Sequence, residues 1–72
     1  MAYTKITSSI RSNLVQRTLL NLDFNIVAAP DETTVIVEDD HTDDVPQILW
    51  DLDPNACVEC ELIDADQLDP YL

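Results

Sequence analysis

There is no glycine anywhere in this 72-residue chain. Glycine alone enters the left-handed backbone region without steric penalty, so every tight turn here falls to Pro, Asn or Asp. The same absence excludes a phosphate site cradled by a glycine-rich loop. Turns are therefore sought on a short menu. Pro30-Asp31 lies between two β-rich runs, Phe24 to Ala29 and Thr33 to Glu38, and predicts a hairpin built on a type I turn.

Upstream of that hairpin, Ser8 or Ser9 offers an N-cap for a helix running to about Leu22. Ile10, Leu14, Val15, Thr18, Leu19 and Leu22 share one broad arc of its wheel, and Leu20 falls on the other side. Downstream, "DDVPQILWDLDP" predicts a second helix. Asp44 is its expected cap, with Gln47 three residues on, and Pro46 is tolerated in a first turn. Val45, Ile48, Leu49 and Leu52 recur at core spacing, and Pro54 stops the helix at Asp53. Then "ACVECELI" alternates as a half-buried strand does, with Ala56, Val58, Cys60 and Leu62 on one face. Cys57, Glu59, Glu61 and Ile63 occupy the other.

This αββαβ order predicts an α+β fold, a small two-layer sandwich with two helices on one face of a three- to four-stranded mixed sheet. If residues 2–6 also pair as a strand, the chain becomes a ferredoxin-like βαββαβ. A right-handed crossover through the second helix makes strands 33–38 and 56–63 parallel if they are neighbours. The length suits one domain, expected over residues 1–64, with an acidic C-terminal tail at 65–72.

Charge is distributed as unevenly as the turns. Lys5, Arg11 and Arg17 all lie within residues 1–22, which hold no acid, and from Asp23 onward every formal charge is negative, for a net charge of −12. Such a surface repels nucleic acid and anionic membranes, so neither is an expected direct partner. It attracts cationic surfaces, of which the nucleic-acid groove of another protein is a common kind. A duplex carries one charge per ~1.7 Å of axis, which a dense row of carboxylates imitates. The plainer alternative is solubility or adaptation to high salt.

The residues that suggest chemistry do not assemble into a catalytic set. His41, the only histidine, sits in a predicted loop among Asp39, Asp40, Asp43 and Asp44 without a rigidly held nucleophile. "DDHTDD" lacks the alternating ligands and the glycine of a calcium loop, so no metal is expected there. Cys57-Val-Glu-Cys60 has metal-like spacing, yet on a strand the two thiols point to opposite faces. Structural cysteines in a reducing cytoplasm are expected. No cofactor and no enzymatic activity are anticipated.

Trp50 points away from the second helix's core stripe, between acids, as an interface anchor does. The sequence thus predicts a non-enzymatic acidic protein that occupies a basic surface of a larger protein. Asp39, Asp40, Asp43, Asp44, Asp51 and Asp53 would supply the charge and Trp50 the anchor. Viral and mobile-element inhibitors of host defence, such as anti-CRISPR or anti-restriction DNA mimics in a host cytoplasm, are of this type. A second expected contact is the outer sheet face at Ile36, Glu38, Glu59 and Glu61. The alternative is a structural or assembly module that forms a homo-oligomer, for instance a homodimer, through that sheet face or through its basic first helix.

Overall fold

The computed structural model describes residues 2–71. The chain runs β1 (Ala2–Ser8), α1 (Ser12–Asn21), β2 (Ile26–Asp31), β3 (Thr34–Glu38), α2 (Asp44–Leu52), β4 (Val58–Asp64) and a short α3 (Ala65–Leu68), which continues into a 3-10 turn at Asp69–Tyr71. The first residues do form a strand, and the sheet order is β2-β3-β1-β4. This is the ferredoxin-like, split βαβ connectivity: β3 inserts into the β1-α1-β2 unit, and β1 into β3-α2-β4.

The insertion corrects one expectation. β3 and β4 run in the same direction, but β1 lies between them and pairs antiparallel with both, Lys5 standing opposite Ile36 on one side and Glu61 on the other. The sheet is therefore antiparallel throughout and not mixed.

Alternation along β1 sets both faces. Ile6 points under the helices, where it is buried with Val15 and Leu19 of α1, Val45 and Leu49 of α2, and Val35 and Val37 of β3. Each of these side chains contributes about 1.5–3 kcal/mol by leaving water. The two-layer sandwich is the result. Neither helix uses its whole expected arc: Leu14 of α1, Leu22 just past its end and Leu52 of α2 stay exposed, because they lie at helix flanks and ends beyond the core contact.

Local boundaries follow hydrogen-bond chemistry. Ser8 and Ser9 do not cap α1: the Ser8 hydroxyl donates to Ile10 O at 3.2 Å, and Ser9 Oγ accepts from the Cys57 N–H at 3.1 Å. The helix starts later, behind Arg11. Its C-terminus closes with the Asp23 N–H on Leu20 O and the Phe24 N–H on Leu19 O, a Schellman arrangement with Asp23 at φ 65°. Glycine usually holds that position; here Asp does, one of the few residues that tolerate it.

The hairpin turn lies beyond Pro30-Asp31. Both residues belong to β2, an edge strand that tolerates proline's missing N–H. Asp31 Oδ1 accepts from the Thr33 N–H at 2.9 Å and from its hydroxyl at 3.0 Å, which bends the chain at Glu32-Thr33 instead. At α2, the expected Asp44–Gln47 box does not form. The cap residue is Asp43, which places Pro46 third in the helix with no N–H to offer the cap carboxylate. The same Asp-x-x-Gln spacing does form a capping box at Asp64 and Gln67, opening α3.

That last helix changes the outer face of the sheet. Residues 65–71, expected as a tail, fold back so that Leu68 and Tyr71 cover Ile36 and Ile63, with Tyr3 and Val27 beside them. Lys5 stands over the Tyr71 ring at 5.0 Å, and the Tyr71 phenol foremost, then Glu61 and Asp31, hold its pKa above the usual lysine value. Replacing Leu68 by Ala should lower stability by about 2–3 kcal/mol and expose Ile36, read as an earlier urea midpoint with more dye binding. An unchanged midpoint would show that the cover carries no weight.

Candidate functional site

The acidic loop between β3 and α2 is held from beneath. Thr4, fully buried in β1, donates its hydroxyl to Asp39 O at 2.7 Å and accepts the His41 N–H at 2.8 Å. Asp39 itself takes a left-handed conformation (φ 70°) and donates its N–H to Ala2 O at 2.9 Å. His41 is half-buried, its ring edge-on to Phe24 at 4.5 Å between centroids, with Nδ1 3.5 Å from Asp44 Oδ2. Asp40 Oδ1 accepts from the Thr42 hydroxyl at 2.8 Å and from its N–H at 3.1 Å. Those bonds, the hydroxyl's foremost, hold the Asp40 carboxyl below its ordinary pKa. The loop is an ordered support for exposed carboxylates.

The fold adds acids that the sequence kept apart. A concavity of about 200 Å³ is lined by Asp23, Phe24, Asn25, Glu38, Asp39 and His41, and the Asn25 amide donates to the Glu38 carboxylate. Asp64 lies opposite Ala2, whose carbonyl accepts from Asp39. Asp23, Glu38, Asp39, Asp40, Asp43, Asp44 and Asp64 thus gather at one end of the sheet. None of Lys5, Arg11 and Arg17 lines that concavity. Asp23 and Asp64 are additions that the sequence pattern did not signal, since each marks an element boundary far along the chain from the loop.

The other expected contacts separate. Asp51 and Asp53 sit at the far end of the nine-residue α2, about 12 Å from its start by helix rise. Trp50 is 39% exposed, and its indole N–H donates to Ala56 O at 3.0 Å. One edge of the ring is committed to the α2–β4 loop while the rest meets solvent. Asp53 Oδ1 accepts from the Asn55 N–H in the same loop, at 3.1 Å.

The second contact does not survive. Ile36 has no exposed surface, being covered by the C-terminal segment, and an uncovered sheet face is not available for pairing. Glu38 is opposite Tyr3 and Glu59 opposite Thr7, toward opposite ends of β1, so Glu38, Glu59 and Glu61 do not form one patch.

The cysteines follow strand alternation. Cys60 packs against the main core and Cys57 is exposed just before β4. Burial pushes the Cys60 thiol up to about 11. Among the described residues no group of three or more His, Cys, Asp and Glu is placed to hold a metal ion. Searches against protein-family models, curated proteins and solved structures found no match.

Thr4→Val keeps the shape but deletes both loop bonds, leaving the His41 N–H without its acceptor. Stability should drop by about 1–3 kcal/mol, with faster amide exchange at His41. Unaltered exchange would mean that Thr4 does not hold the loop. For the thiols, alkylation at neutral pH should modify Cys57 alone, Cys60 reacting only on unfolding. Because the Cys60 pKa is raised in the folded state, its contribution to stability is present below the unfolded thiol value of about 8.5 and fades as pH climbs toward 11. Equal labelling of both thiols in the native protein would contradict the burial.

Proposed function

We propose that this chain is a non-enzymatic binding protein that occupies a basic, nucleic-acid-binding surface of a larger protein. The supporting observation is the acidic end of the sheet, where seven carboxylates from three stretches of the chain converge around His41, with no Lys or Arg among the described residues that line the concavity there. The hydrogen bonds from Thr4 and Thr42 preorganise this surface, so little ordering entropy remains to be lost on binding. Carboxylates spaced along a rigid edge present a cationic groove with the charge it meets on a nucleic-acid backbone. Such complementarity acts mainly on association rate and on the choice of partner.

The scope is narrower than the sequence suggested. Asp39, Asp40, Asp43 and Asp44, joined by Asp23, Glu38 and Asp64, carry the proposal, while Trp50, Asp51 and Asp53 belong to a separate surface. No helix of the described residues is long and apolar enough to cross a membrane. A cytoplasmic setting, and a role as a viral or mobile-element inhibitor of host defence of the anti-CRISPR or anti-restriction kind, are part of the same proposal.

The test is competition. The chain should displace a labelled DNA duplex from a susceptible member of a panel of DNA-binding proteins, and displacement should weaken steeply as salt rises. Changing Asp39, Asp40, Asp43 and Asp44 together to Asn preserves the turns and should weaken displacement by about tenfold or more at low salt. Displacement indifferent to both salt and the four substitutions would overturn the proposal.

A further inference from the structure

The helix layer carries a second surface, distinct in position and in charge from the acidic end. Its α1 half is basic: Arg11 and Arg17 are exposed, and among the described residues neither forms an ion pair with a carboxylate. In a chain with 15 acids and 3 bases, two arginines without partners are unexpected. Its α2 half is acidic, with Asp51 and Asp53 exposed and no base on the helix. Between the halves lies an open groove of about 500 Å³ lined by Ile10, Arg11, Asn13, Leu14, Leu52 and Asp53. Leu14 is 42% exposed and Leu52 41% exposed at this groove.

We infer that this face pairs with a second copy of the chain. The two helices run in opposite directions side by side, as the ferredoxin-like connectivity requires. A two-fold axis lying in the face and parallel to the helices sets α1 of each copy over α2 of the other. Arg11 then faces Asp53, and Arg17, about 9 Å further along, faces Gln47 one turn from Asp51, twice over by symmetry. The same operation brings Leu14 and Leu52 of one copy over the groove of the other, removing apolar side chains that the monomer leaves wet. A two-fold axis across the helices sets like charge on like and is disfavoured. The outer sheet face offers no rival surface, since Leu68 and Tyr71 already cover its apolar residues. The loop carboxylates Asp39, Asp40 and Asp43 precede α2 and stay outside this helix pairing, so the dimer does not depend on the proposed function.

Charge reversal in trans tests the assignment. One variant carries Arg11→Glu and Arg17→Glu; another carries Gln47→Lys and Asp51→Lys, at exposed side chains for which no hydrogen bond is found among the described residues. Circular dichroism confirms that each is folded, and sedimentation velocity from micromolar to millimolar concentration reads the mass. The unmodified chain should dimerise, each variant alone should self-associate about tenfold or more weakly, and an equimolar mixture should restore a dimer. Both variants remain net negative, so unspecific attraction cannot supply that restoration. A monomeric parent chain, a variant that dimerises undiminished, or a mixture that stays monomeric would each overturn the inference. Binding to basic partners is measured separately by duplex displacement, so failure here leaves that proposal to its own experiment.

Discussion

The structure depends on β1 being paired along both edges. Tyr3 to Thr7 pair antiparallel with β3 on one side and all seven residues with β4 on the other, and the strand's alternation decides what each face of the sheet contains. Ile6 enters the core beneath the helices, Lys5 and Tyr3 look out toward the C-terminal cover, and Thr4 reaches the loop that bears the acids. A one-residue slip in this strand would exchange those roles at once. The fold, the outer cover and the candidate site share one register.

Most of the architecture was legible in the sequence, for reasons that differ by element. The spacing of Val45 and Leu49, and the alternation from Ala56 to Ile63, are strong patterns because they report long contact with one core. The antiparallel sheet was not legible. It depends on whether residues 2–6 join the sheet, and a five-residue run ahead of a helix does not declare its neighbours. Turn positions moved where a side chain competed for a backbone group: Asp31 drew the hairpin bend beyond proline, and Pro46 denied Asp43 its cap bond. The fold of 65–71 was obscured by its acids, although Leu68 and Tyr71 have the spacing of a small apolar cap.

The candidate site divided for a similar reason. Seven positions read as one surface from Asp39 to Asp53 are separated by the length of α2. Asp23 and Asp64, remote in sequence, come to the same end through the strand ladder. Their self-repulsion is moderated because the carboxylates project into water, where the effective dielectric is high. Hydrogen bonds from Thr42 and Thr33 offset part of the cost at Asp40 and Asp31. Exposed leucines of the helix layer, Leu14 and Leu52, lie beside Arg11, which like Arg17 has no ion pair among the described residues.

The bond between Ser9 and Cys57 joins residues 48 positions apart, and the ladder from β1 to β4 joins residues still further apart. Bringing such distant segments together costs chain entropy before any contact repays it. Until β4 arrives, one side of β1 is an open edge that can recruit any other extended backbone. Folding of this small domain should therefore be slow for its length, with its central strand as the place where misassembly between molecules begins.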